Sequence, residues 1–321
     1  LLKNINLRGS MVGGRIFLSE SLTGLKGIPL DLRDAGGEVI LSRGILEGKN
    51  LAAQGEKVRV SKGLLRLGLE GEKAPFHLEA LADVDLSQLP PFLKKLIGDQ
   101  TFSEEMDRFH ELRGRARAKL VLGETRQSIQ PQVEVQELNL SARYDRIPYP
   151  LKIESVQAVY GGGKIDVKNL NGAIGKSSFS GITARIDLAG TPNIGVSSGK
   201  SVIWLEEIYA WLTSLEKFKV PLQDLKSLQG AMALSFMSLQ GPLTQPEKWD
   251  FRIRAEVERL AMEASMLPGP LVVRAAQLDV TPEKIILQDS QVNLLDASLK
   301  VSAGVHGWQQ GWNRLEGTFQ G

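Results

Sequence analysis

Cysteine is absent from the 321-residue chain. That excludes disulfide staples, thiol nucleophiles and cysteine-based metal sites. It leaves the compartment open, because a chain of this length builds a core without staples. No run approaches the roughly 18 apolar residues of a membrane-spanning helix, and no secretory leader is recognisable. The sequence opens on Leu1 without a methionine and stops at Gly321 within a strand-like pattern, so it reads as an excerpt of a longer protein, with room for an anchor upstream. An excess of one charge sign is also missing: the formal net charge is +2, which gives no electrostatic drive toward nucleic acid. Histidine is scarce. His77, His110 and His306 fall in unrelated parts of the pattern, whereas a zinc site or a catalytic triad needs convergent partners. His77 alternates with apolar neighbours and reads as a surface strand residue.

Nucleotide chemistry is excluded in the same way. Gly172-Ala173-Ile174-Gly175-Lys176-Ser177 resembles a phosphate loop, but that motif requires a glycine where Leu170 stands, and no long helical pattern follows. It reads as a turn between strands, as does Tyr160-Gly161-Gly162-Gly163-Lys164. The expectation is a protein with no catalytic residue, no cofactor and no metal, and therefore not an enzyme.

What the sequence has in abundance is alternation. Leu295, Ala297, Leu299, Val301, Ala303 and Val305 fall on one face of a strand, with Ser298, Lys300 and Ser302 on the other. Leu65, Leu67 and Leu69 form a similar run, as do Ile182, Ala184, Ile186 and Leu188, and the shorter pair Ile165 and Val167. Glycine, at 33 residues, supplies turns. The fold class expected is mainly β: an elongated antiparallel sheet with minor helix near residues 86–112 and 203–217.

Three segments look like copies of one another: Ile28 to Gly71, Tyr149 to Gly190, and Gly269 to Gly307. Each opens with Pro-Leu, at Pro29, Pro150 and Pro270, spaced 121 and 120 positions apart. Turns are expected at Ala35-Gly36-Gly37, Gly161-Gly162-Gly163 and Thr281-Pro282-Glu283, giving a meander. Leu112-Arg113-Gly114 and Leu228-Gln229-Gly230 introduce matching back halves. Residues 1–28 then end a preceding repeat, 29–149 and 150–269 are full repeats, and 270–321 begin a third, all in one continuous sheet.

Amphipathic inserts separate front from back halves. Trp204, Ile208, Trp211, Leu212 and Leu215 recur at helical spacing. In the first copy, Phe102, Met106 and Phe109 are expected on a short helix capped by Ser103. Both read as helices plugging the end of a sheet, with Glu104-Glu105 and Glu206-Glu207 on solvated faces. Arg113, Arg115, Arg117 and Lys119 share one face of a strand, with Arg252 and Arg254 as a smaller echo. The plainest reading is a solvated outer face, and the functional alternative is contact with a lipid headgroup or another anionic partner.

The Pro-Leu openings, the glycine-rich turns and the phrase NLNGAIGKSSFSGITARIDLAG, from Asn169 to Gly190, resemble the repeated units of the AsmA-like family. The resemblance spans nearly the whole chain and implies a long, taco-shaped β-groove with an apolar interior. It also implies an inner-membrane anchor outside this chain, a periplasmic location and passage of phospholipid between the inner and outer membranes. The implied partners are phospholipid acyl chains and membrane proteins at either end.

Candidate groove residues are Val58, Val60, Leu65, Leu67, Leu69, Val133, Val135, Ile165, Val167, Ile182, Ile186, Leu188, Leu295, Leu299, Val301 and Val305. A bulge would flip a strand's pattern, so alternation alone does not assign the inner face. The competing reading is a periplasmic scaffold for outer-membrane assembly that conducts no lipid. A polysaccharide-binding solenoid is disfavoured, because it calls for repeats of roughly 20 to 30 residues and clustered aromatics, and aromatics here are only 6%.

Overall fold

Residues that alternate in polarity pair into strands because one face can then leave water while the other stays in it. The computed structural model describes residues 6–18, 30–55, 57–71, 73–88, 90–91, 94, 100–125, 128–197, 199–214, 222–243, 245, 248–308 and 314–320. Among the described residues, eighteen strands belong to one sheet. The chain divides into two compact units. One comprises Leu1–Asp145, Lys152–Val167 and Ile186–Gly190, and the other Arg146–Leu151, Lys168–Arg185 and Thr191–Gly321.

In the first unit, β1 (Asn6–Leu18), β2 (Leu30–Ser42), β3 (Ile45–Gln54), β4 (Val58–Gly68), β5 (Pro75–Asp85), β6 (Phe109–Thr125) and β7 (Ile129–Tyr144) form a meander. Each strand pairs antiparallel with the next. Three further strands follow: β8 (Ile147–Gly161), β9 (Lys164–Ile174) and β10 (Ser177–Asp187). The second unit continues with β11 (Asn193–Ser197), β12 (Lys200–Trp204), β13 (Leu225–Pro242), β14 (Asp250–Ala264), β15 (Leu271–Val280), β16 (Lys284–Leu294), β17 (Ala297–His306) and β18 (Arg314–Gln320). From β12 to β18 each strand again pairs antiparallel with its successor. The short β11 and β12 share the flank of β13, β11 against Ser238–Pro242 and β12 against Ala231–Leu234.

The turns fall where the sequence places them in two of the three copies. Gly162-Gly163 joins β8 to β9 with both residues left-handed, at φ 57° and 73°, as a two-residue hairpin of this hand requires. Residues 281–283 join β15 to β16. In the first copy the expectation fails. Ala35, Gly36 and Gly37 lie inside β2, and the turn is Arg43-Gly44, with φ 50° and 73°. The glycines serve a bulge instead: the β2–β3 register shifts on either side of Gly36. A Cβ at Gly37 would stand 2.9 Å from the Lys49 carbonyl oxygen and 2.7 Å from Leu51 Cδ2. The close passage of β3, not a reversal of the chain, demands glycine there.

Two α-helices are described, α1 (Gln100–Met106) and α2 (Leu205–Ser214), with a 3₁₀ turn at Leu86–Gln88. Ser103 does not cap α1; it is the fourth helical residue, and its carbonyl accepts from the Asp107 amide at 3.1 Å. Phe109 opens β6 rather than extending the helix, and its ring stacks on Tyr144 with centroids 4.7 Å apart. Trp204 likewise ends β12, while Ile208, Trp211 and Leu212 lie on α2. Leu215 and the Phe102 side chain lie outside the described residues.

Helix α2 covers strand ends in the second unit. Trp211 Nε1 donates to the Arg146 carbonyl before β8 at 2.6 Å, and Tyr209 Oη to the Leu225 carbonyl of β13 at 2.5 Å. Glu207 is not on a solvated face: it is only 8% exposed. Its carboxylate accepts from the Lys176 amide at 2.8 Å, the Ser177 amide at 3.2 Å and Ser177 Oγ at 3.0 Å, pinning the helix to the β9–β10 turn. Glu206 Oε2 is also buried, with no hydrogen-bond partner among the described residues.

Candidate functional site

The ladder registers decide which side chains share a face. In the first unit, Gly48 of β3 faces Leu65 of β4, which faces Leu78 of β5, then Leu122 of β6 and Pro131 of β7. A parallel row runs Ala53, Val60, Ala82, Ala118, Val135, and another Val58, Val84, Ala116, Leu138. Leu67 sits between Leu46 and Phe76, and Val133 opposite Leu120. Six of the expected groove residues, Val58, Val60, Leu65, Leu67, Val133 and Val135, therefore lie on one continuous apolar face. Leu69 falls just beyond β4, its amide donating to the Gly44 carbonyl at 2.9 Å.

The second unit repeats this construction. Leu260, Val273, Val292 and Leu299 are successive partners across β14 to β17, as are Ile253, Val280, Ile285 and Val305. Val257, Val273, Ala276 and Val292 are buried in one cluster, with Val301, Met232, Leu260, Leu271 and Leu287 packed against it. Leu299, Val301 and Val305 share this face, and Lys300 points to the other. Leu295 does not belong to it. It lies in the two-residue turn between β16 and β17, left-handed at φ 54° and 66% exposed. Ile182 is buried, and Ile165, Val167, Ile186 and Leu188 are half-buried, the last just past the end of β10.

Along both apolar faces most side chains are half-buried rather than sealed. Leu122 and Ser290 are the only large or polar side chains below 2% exposure among the described residues. The sequence reading missed the β5 and β6 contributions, Phe76, Leu78, Leu120 and Leu122. Their alternation is legible, but alanines at 80, 82, 116 and 118 dilute it and Leu81 interrupts it on the polar side.

The opposite face carries its charges in cross-strand pairs. Arg117 Nε donates to Asp83 at 2.9 Å and its Nη1 to Glu137 at 3.3 Å, while Lys119 meets Glu79 at 2.8 Å. Arg115 stands opposite Asp85 and Asn139. Hydrogen bonds from the Ser87 amide and hydroxyl hold the Asp85 carboxyl below its ordinary pKa, with Lys57 and Arg115 adding to the effect. The cationic row is thus threaded between carboxylates of β5 and β7, as expected of a solvated outer face. In the second unit, Arg252 and Arg254 clamp Asp279 at 2.9 and 3.3 Å.

Among the described residues no cluster of three or more histidine, aspartate or glutamate side chains can hold a metal ion. No described helix is long and apolar enough to cross a membrane. Comparison of the chain with family models, with curated proteins and with solved structures gives no match.

Proposed function

We propose that the chain conducts phospholipid acyl chains along its apolar face, as one stretch of an AsmA-like bridge between inner and outer bacterial membranes. The observation that carries this reading is the one-sided register. In each unit, consecutive strands line up apolar side chains in cross-strand rows, most of whose members are half-buried, while the reverse face is ion-paired. An acyl chain needs no specific polar site. Each CH₂ withdrawn from water contributes about 0.8 kcal/mol, so a chain of roughly sixteen carbons gains on the order of 10 kcal/mol from many shallow contacts.

An elongated groove built from units of about 120 residues fits the order of elements. Strands β2 to β5 precede α1, β6 and β7. Strands β8 to β10 and the β11/β12 pair precede α2, β13 and β14, and β15 to β18 then follow. The matching tripeptides carry matching devices. Gly114 takes φ 138° against the Asn139 carbonyl, and Gly230 takes φ 119° against the Arg259 carbonyl. The periplasmic setting, the anchor outside this chain and the membrane-protein partners at either end follow from the family resemblance. No chemical step is part of this reading.

The test is a charge placed in the rows. Leu299→Asp is expected to abolish co-purification of phospholipid, measured by native mass spectrometry and lipid extraction. Lys300→Asp, one residue away on the opposite face, is expected to leave it unchanged. Leu299 is half-buried, so the loss in urea stability is expected to stay within about 2 kcal/mol, and Leu299→Ser gives a milder companion. Equal lipid retention in both aspartate variants, or no lipid on the unsubstituted chain, favours the scaffold reading.

A further inference from the structure

Toward one end of the polar face of the first unit the ion pairs thin out. There Arg66 of β4 faces His77 of β5, His77 faces Gly123 of β6, and Gly123 faces Gln130 of β7. Gln132 lies two residues further along the same face of β7. Because Gly123 has no side chain, the row sinks into a cleft of about 590 Å³, with Glu124 also on its wall. That volume lies within the range of small-ligand sites, roughly 300–1,000 Å³.

The groups lining the cleft have unused hydrogen-bonding capacity. His110 is held by Asp145 and His306 by Glu316, each at 3.0 Å. His77 has no such carboxylate among the described residues, and neither the Gln130 nor the Gln132 amide has a side-chain partner there. The Arg66 guanidinium touches Glu47 only at 4.0 Å, the outer limit of an ion pair. Glu124, also on the wall, is in register with Phe76 and Ile129, on the alternate side of the pleat from Arg66 and His77. A guanidinium fork, an imidazole and two primary amides line one space. Such a set suits an oxyanion with several acceptor oxygens, with room left for a hydroxylated substituent.

We propose that this cleft binds a phosphate ester of a small polyol, either free in solution or as the headgroup of a glycerophospholipid. The site lies on the polar face and is independent of the acyl-chain reading, so its failure leaves that reading standing.

The three histidines make the test direct. Imidazole ¹H–¹⁵N resonances of the intact chain are followed on addition of inorganic phosphate, glycerol 3-phosphate, and phosphatidylcholine vesicles with and without phosphatidylglycerol. His77 is expected to shift saturably while His110 and His306 stay in place, with glycerol 3-phosphate binding at least severalfold tighter than phosphate. A response to glycerol 3-phosphate assigns a soluble ester. A response confined to phosphatidylglycerol vesicles assigns the headgroup, and either outcome supports the site. Arg66→Gln, an exposed substitution, is expected to weaken binding about tenfold. Gly123→Ala is expected to abolish it, since the added Cβ would stand 3.2 Å from His77 Nδ1 and 3.3 Å from the Phe76 carbonyl oxygen. No saturable shift with any probe, equal drift of all three histidines, or unchanged affinity in Arg66→Gln overturns the proposal.

Discussion

A carboxylate that accepts three hydrogen bonds from a single turn has exchanged water for the protein, and Glu207 is in that position. Removing it strands the amides of Lys176 and Ser177 under α2, and unsatisfied buried donors each cost about 1–3 kcal/mol. Glu207→Ala is therefore expected to lower the free energy of unfolding by about 2–3 kcal/mol in urea titrations, and Glu207→Gln by less. A loss below about 0.5 kcal/mol in the alanine variant rules the latch out. This residue was not legible in the sequence, because its partners lie some thirty positions upstream and nothing local marks a helical glutamate as buried. Leu295 misled for a different reason. A two-residue turn inserted between Leu294 and Ala297 preserves the parity of an alternating run, and this turn contains no glycine to announce it.

At the scale of paired elements, the Asp279 clamp ties β15 to the arginines of β14. The hydrogen bond from Arg252 is the main reason its carboxyl is held below the usual pKa; Arg254 adds to the effect and burial opposes it. A carboxyl lowered in the folded state stabilises the fold above its unfolded value, near about 3.9. That contribution is lost as the pH falls through the folded value. Asp279→Asn is expected to cost about 1 kcal/mol at neutral pH, partial exposure discounting the pair. It should also flatten the decline in stability below about pH 4. Urea midpoints measured across that range check both, and an unchanged acid limb rejects the clamp. The strands were readable from alternation, since Leu65 and Leu67 share one face, as do Leu299 and Val301. The bulges were not: Asn50, Lys62 and Asn169 adopt left-handed φ within strands, and no glycine marks these positions in the sequence.

For the molecule as a whole, the rows make a prediction about periodicity. A photo-crosslinking side chain at position 65, 67, 299 or 305 is expected to capture lipid in cells, and one at 300 to capture none. Capture with no two-residue period would separate the lipid from the apolar rows. The order of pairing has a different kind of consequence. From β1 to β7, and again from β12 to β18, each strand finds its hydrogen-bond partner in the strand synthesised just before it. Loop-closure entropy grows with the length of chain to be closed, and contacts local in sequence form fastest. A chain delivered end-first can therefore fold as it emerges, each hairpin docking on a completed edge. The growing edge at any moment is the newest strand, so the interval in which that edge can pair with the wrong chain lasts only until the next strand arrives.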